Sequence, residues 1–200
     1  MSEKILTKKF YDRTPDIVAR ELLGKILTHH HNGICCSGRI VETEAYFPEN
    51  DPANHAARGK TKRNTPMFGP PGIAYVYFCY GNHWLVNAVT EKEGIASAVL
   101  IRAVEPVEGI EIMRKRRKVK RDVDLTNGPA KLCSALGITG EQNGLSLLKK
   151  PLIIIDDETP LPEYKTSKRI GISVGTEIEG RYYIPGDEYI SAKPRSGNGY

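Results

Sequence analysis

The chain has no Cys-x-x-Cys pair, and its 200 residues hold only four cysteines: Cys35, Cys36, Cys79 and Cys133. That density excludes a disulfide-stapled scaffold and reads as reduced cytosolic thiols, mostly buried. No apolar run approaches the length needed to span a bilayer, and the opening MSEKILTKKFYD lacks the apolar stretch of a secretory signal. Internal repeats and low-complexity tracts are missing too. Charge of one sign does not dominate: 29 Lys and Arg stand against 24 Asp and Glu, a net +5. So modest an excess favours a polyanionic partner only if it is clustered. The run His29–His31 has no other ligand cluster near it. Successive strand residues face opposite ways, so it reads as an exposed hairpin tip, and no metal is expected.

What is present suits one domain, residues 1–200, with 40% hydrophobic residues to build a core. TPDIVARELLG is punctuated as a helix, with Thr14 as cap, Pro15 in the first turn, Gly24 as terminator and Ile17, Val18, Leu22 and Leu23 as buried stripe. Asn32-Gly33 between two apolar runs signals a hairpin. Residues 47–72 form a long irregular stretch, of the kind that in a compact domain is functional or disordered. GIAYVYFCY and WLVNAVT read as strands joined by the turn Gly81–His83, and SAVLIRAV as the next strand. EPVEGIEIMRKRRK reads as a helix with Pro106 in its first turn and Val107, Ile110 and Met113 on one side. NGPAKLCSALG reads as a short helix. The tail reads as short strands, LIIID, RIGIS and RYYIP. Helices and strands mix without regular alternation, so the expected fold is α+β: a curved, mainly antiparallel sheet with surrounding helices.

Chemistry gathers in ETEAYFPENDPANH, residues 42–55. Glu42, Glu44 and Tyr46 alternate on one strand and share a face. Glu44 adjoins Tyr46 and the loop, which favours it as the working acid, although strand geometry by itself leaves Glu42 open. Tyr75 and Tyr77 share a face of their own strand. Tyr80 sits at a hairpin tip with little core to enter, and an exposed ring there can wedge between stacked bases. Tyr46 and Tyr77 can line a slot for a flat ring, by stacking and, for a cationic ring, by cation–π attraction.

Basic residues cluster twice. Arg58, Lys60, Lys62 and Arg63 lie in the long loop. Seven of the eight positions from Arg114 to Arg121 are basic, more than a helix terminus needs for its dipole. Contact with a phosphate backbone follows for at least one cluster. Lys131, at the start of the NGPAKL helix, is a candidate phosphate contact, and a plain structural helix start is an equal reading.

The blocks GRIVETEAY, TKRNTPMF, GIAYVYFCYG, VLIRAVEP and NGPAKL, in this order, resemble the alkyladenine (3-methyladenine) DNA glycosylases. The likeness runs from about Phe10 to Leu136 and is weaker after Gly137. The basic stretch 115–124 matches no motif, and the long N-terminal tail of mammalian members is absent. The resemblance implies a monofunctional enzyme of base excision repair. It would flip alkylated or deaminated purines from duplex DNA and hydrolyse the N-glycosidic bond. Glu44 would be the base that activates water, and Arg102 would hold that water and the site's geometry. Tyr46 and Tyr77 would sandwich the flipped base, His55 would bond its edge or sugar, Tyr80 would fill the gap in the duplex, and Asn87 would crowd out the amine of normal guanine. Lys60, Arg63 and Lys131 are the candidate contacts to the DNA backbone.

No cofactor is implied. The partner would be damaged double-stranded DNA, engaged by a monomer in the cytoplasm on chromosomal DNA. An oxocarbenium-like sugar suits a carboxylate, which both polarises water and stabilises positive charge. A lysine nucleophile, Lys60 or Lys62, is the mechanistic alternative. A binding module without chemistry would not need Glu44. An enzyme for a small nucleoside would need neither Tyr80 nor the basic clusters.

Overall fold

The structure, a computed structural model, describes residues 4–191. Two helices lead in, α1 (Lys8–Tyr11) and α2 (Pro15–Glu21). Pro15 occupies the first turn of α2, where its missing N–H needs no partner, and Gly24 takes φ +84° at the exit. Thr14 is extended, as a cap should be, but its hydroxyl makes no capping bond. Val18, Ala19 and Leu22 are fully buried, worth about 1.5–3 kcal/mol for each of the two larger side chains.

The sheet begins with the hairpin β1 (Ile26–His31) and β2 (Ile34–Tyr46). Asn32 and Gly33 both adopt positive φ, 49° and 74°, as the Asn-Gly pair requires. Then come β3 (Ala74–Cys79), β4 (His83–Val89), β5 (Ala98–Glu108), α3 (Ile110–Arg117), α4 (Pro129–Leu136), β6 (Leu152–Ile155), β7 (Lys165–Ser167) and β8 (Arg181–Tyr183). The order is β3-β4-β5-β2-β1-β6, with β8 also on β2 and β7 on β8, and the pairings among these strands are antiparallel. The first half of β2 pairs with β1 and its second half with β8, which curls the sheet around the end of β2. The α+β expectation holds.

The two faces of the sheet have different tasks. Thr43, Ala45, Val86, Ala88, Val99 and Ile101 turn toward the main core with α2 and α4. The alternate positions, Tyr75, Val89 and Ala98, face the other way under the long loop, where Met67 joins them.

Four local expectations are corrected. Pro106 and Val107 continue β5 instead of opening α3, which starts after Gly109 (φ +77°). By that point β4 has ended and the register with β2 shifts, so proline's lost donor is tolerated. RIGIS is irregular, not a strand, because its polar groups bond inward to β2. The β3–β4 turn is Tyr80–Asn82, since Cys79 pairs with His83. His29 is buried, with Nδ1 3.0 Å from the Leu136 carbonyl oxygen, so it belongs to the α4 packing and not to an exposed tip.

Candidate active site

A row of residues in register crosses five strands: Tyr75 opposite Asn87, Asn87 opposite Leu100, Leu100 opposite Glu44 and Glu44 opposite Arg181. Directly paired residues of an antiparallel sheet share a face. That face floors a cavity of about 300 Å³. Tyr46, His55, Tyr77, Tyr80, Asn87 and Arg102 all line it. With Arg63, seven of the expected site residues are therefore brought together.

Two opposed irregularities aim the charges. Ile40 pairs with Val104 and Glu42 with Ala103, leaving Val41 unmatched on β2. Thr43 then pairs with Ile101, leaving Arg102 unmatched on β5. Each is a β-bulge, which re-aims side chains. Beyond them the register is restored. The result puts Arg102 over both acids, Nε 3.1 Å from Glu42 Oε1 and Nη1 3.2 Å from Glu44 Oε2.

The two acids are not equivalent. Glu42 Oε1 accepts from Arg102, from Arg181 Nε at 2.6 Å and from Ser191 Oγ at 2.8 Å, while Oε2 accepts the Ser191 amide at 2.6 Å. A carboxylate offers about four acceptor positions, and four donors meet Glu42, of which Arg102 is the one that lines the cavity. Glu44 Oε2 accepts from Arg102 and from the Tyr46 hydroxyl at 2.9 Å, and Oε1 accepts, among the described residues, only the Ile170 amide at 2.7 Å. Among the described residues one acceptor position of Glu44 is left over. Its side chain is 0% exposed, yet all three of its donors line the cavity. Burial raises its pKa above the ordinary carboxyl value, opposed by Arg102, the Ile170 amide and the Tyr46 hydroxyl. Burial also holds the Tyr46 phenol well above its usual value, with the Glu44 charge adding to it, so Tyr46 donates.

The loop over this floor is ordered by three buried side chains that replace secondary structure. Asp51 accepts the Phe47 and Ala53 amides at 2.9 and 3.1 Å. Asn54 donates to the Phe47 and Ala96 carbonyls at 2.6 and 2.9 Å. Asn64 donates to the His55 and Gly59 carbonyls at 2.9 and 3.0 Å. They place His55 at the cavity mouth, 2.9 Å from the Tyr75 hydroxyl and edge-on to Tyr77 with centroids 4.6 Å apart. Partial burial and the nearby Arg63 cation lower the His55 pKa, which favours the neutral imidazole. Asn87 donates to the Tyr75 carbonyl at 3.0 Å, which fixes its amide in the wall. Tyr80 is 87% exposed at left-handed φ 50°. A bulky residue in that region is uncommon, and such strain collects at functional tips.

The expected backbone contacts divide. Lys60 lies over Phe68 at 5.3 Å, and Lys131 bonds Asn127 at 2.7 Å. Arg63 lies over Tyr77 at 5.1 Å and lines the cavity. In the second basic cluster Arg114 pairs with Glu111 and Asp122, Arg121 with Asp124, and Arg116 and Arg117 bond main-chain carbonyls. Lys115, Lys118 and Lys120 are the exposed lysines there.

Reading the sequence missed Arg181, Ser191 and the Ile170 amide, which meet the two acids from the far end of the chain, and Arg169, which pairs with Asp51. Their one available signal is a pair of arginines in a segment otherwise taken for short strands. Among the described residues no group of three or more His, Cys, Asp and Glu side chains is placed to hold a metal ion, and no helix is long and apolar enough to cross a membrane.

Comparison with known proteins fits this geometry. The family model described as Methylpurine-DNA glycosylase matches residues 9–188, past the point where the motif likeness fades. A protein of Chlorobium phaeobacteroides is 48% identical over 190 residues, covering 94% of this chain and 96% of its own. One of Carboxydothermus hydrogenoformans is 47% identical over 191 residues, covering 94% and 100%. One of Clostridium acetobutylicum is 46% identical over 198 residues, covering 93% and 97%. All three carry the name "Putative 3-methyladenine DNA glycosylase". The chain belongs to the methylpurine-DNA glycosylase family, hydrolases that cleave N-glycosyl bonds in DNA.

Proposed function

We propose that the protein, acting as a monomer on duplex DNA, rotates an alkylated or deaminated purine into the cavity and hydrolyses its N-glycosidic bond with a water activated by Glu44, leaving an abasic site. The observation that carries this is the leftover acceptor position on Glu44, beside a cavity walled by Tyr46, Tyr77 and His55. That position takes the water, with Arg102 orienting it. The Tyr46 hydroxyl gives way as the purine slides between the rings. Alkylation at a ring nitrogen makes the purine cationic, so it leaves more readily and is attracted to the tyrosine faces. A neutral deaminated purine gains neither aid and depends on positioning by His55 and Asn87.

A duplex with one labelled lesion, incubated with the protein and then treated with alkali, tests the reading. Cleavage at the lesion supports it, and an intact strand under single-turnover conditions refutes it. Strand cleavage before alkali would instead favour a lysine nucleophile.

The exposed tip yields a second prediction. Extracting a paired purine costs a few kcal/mol of unstacking, which a wedge offsets. Tyr80→Ser is expected to slow release from paired lesions by about tenfold or more, with little effect on single strands. Equal losses on both substrates would remove the wedge role.

The basic clusters yield a third. DNA affinity is expected to fall with salt at a log–log slope of about −0.9 per phosphate neutralised. Changing Lys60 to Ala should flatten that slope by about one such step. A salt-independent affinity measured by anisotropy would favour a small-nucleoside substrate.

A further inference from the structure

We propose that the buried Arg169–Asp51 pair is a positioning device for the reaction, holding the Tyr46 ring and the Ile170 amide where they act on Glu44 and on the bound purine. The inference rests on the reading of Glu44 as the base.

Both side chains are wholly buried, with Nη1 and Nη2 of Arg169 2.5 and 2.7 Å from the two carboxylate oxygens of Asp51. The guanidinium ties together three segments that meet at the site. It donates to the Ala45 carbonyl at 3.0 Å, at the end of the strand that carries both acids. Through Asp51 it fixes the loop that presents His55. It also donates to the Gly175 carbonyl at 3.3 Å, within the C-terminal segment whose next residue, Ile170, bonds Glu44. The same guanidinium lies over the Tyr46 ring, 4.7 Å from its centroid.

The main chain is shaped to admit it. A Cβ on Gly175, itself at φ +61°, would lie 3.2 Å from Nη2, and one on Gly180 would lie 2.9 Å from the Ala45 oxygen and 3.1 Å from the Arg169 Cδ. A role in stability alone explains this poorly. Buried ion pairs are replaceable by apolar residues at little or no loss, and Arg169 Nε is buried without a partner among the described residues, itself a cost. What an apolar pair lacks is the planar fork that stacks on one ring while fixing two carbonyls.

The test uses Arg169→Lys, Asp51→Asn and the double change Asp51→Leu with Arg169→Met in the full chain. Single-turnover base release from a lesion-bearing duplex is followed across pH, alongside duplex affinity and Tm. Glu44 is faced by Arg102 and Tyr46, which bond it, and by the charges of Glu42, Arg169 and Arg181 and the Tyr77 phenol. The variants leave Arg102, Tyr46, Glu42, Arg181 and Tyr77 in place and release the Ile170 amide, which favours the ionised form of Glu44. The acid limb of the rate profile should therefore move to higher pH, by about one unit for one charge-assisted hydrogen bond. Release at neutral pH should fall about 10- to 100-fold through misplacement of the ring, with affinity for the lesion duplex nearly kept, and Arg169→Lys should lose least.

An unmoved acid limb, with rates lowered only in proportion to the folded fraction, overturns the inference. Should the single changes fail to fold, the charge-free double variant carries the same readout, and parental rates from it overturn the inference equally. If Glu44→Gln turns over normally, the base assignment itself has failed. If Glu44→Gln is dead while the acid limb of the Arg169 and Asp51 variants stays put, only the positioning role has failed.

Discussion

Glu44→Gln is expected to slow base release by about 10²- to 10⁴-fold, the span general base catalysis supplies, while lesion-duplex affinity stays within about tenfold. Glutamine keeps the volume and loses the charge. One end of its amide is a donor, so it must face either the Ile170 N–H or the Arg102 and Tyr46 donors as a mismatch. Single-turnover release and fluorescence anisotropy on the same duplex separate the two effects. Release within tenfold of the parent would end the base assignment. The parent's own profile follows from the same geometry. The base acts when ionised and burial raises its pKa, so release should climb with pH through a midpoint above the usual carboxyl range.

Arg102→Met is expected to have the largest effect on stability. Two wholly buried carboxylates face this guanidinium, at 3.1 and 3.2 Å. Removing it leaves Glu42 with Arg181 and the Ser191 groups but leaves Glu44 with only neutral donors. Breaking a buried pair this way costs about 3–5 kcal/mol, a Tm loss of about 10 °C for a chain of this length. The sign of its pH dependence is fixed. A carboxyl whose folded pKa lies above its unfolded value is stabilised by its proton, so stability is present at low pH and lost as pH rises toward the folded pKa. Burial already raises Glu44, and loss of the cation raises it further. Calorimetry of the variant should therefore show Tm recovering on acidification from pH 7 toward pH 5, relative to the parent. A pH-independent deficit would mean that Glu44 was not the group left uncompensated.

Much of the site was legible because its residues alternate along strands. The period of two placed Glu42, Glu44 and Tyr46 together, and likewise Tyr75 with Tyr77. The Asn-Gly hairpin and the Pro15–Gly24 helix were legible from turn and cap chemistry. Register across strands was not, because nothing local announces that Leu100 lies opposite both Asn87 and Glu44. Pro106 misled because proline marks a helix start as well as a strand edge, and only the end of β4 decides between them. The histidines misled because His29 is claimed by α4, more than 100 residues away. Adjacency to Tyr46 and the loop already favoured Glu44, but that Arg181 and Ser191 from the C-terminal end occupy Glu42 was not legible.

The paired bulges at Val41 and Arg102 carry a consequence for how this site tolerates change. They work as a vernier: one strand is a notch long, the other is a notch long in the opposite sense, and the offsets cancel before Glu44. Deleting Val41 alone would remove one notch, making Ile40 and Glu42 consecutive opposite Val104 and Ala103, and would leave the notch at Arg102 without its counterpart. A single-residue insertion or deletion here would therefore change how Arg102 is aimed at Glu42 and Glu44 without replacing any of the three.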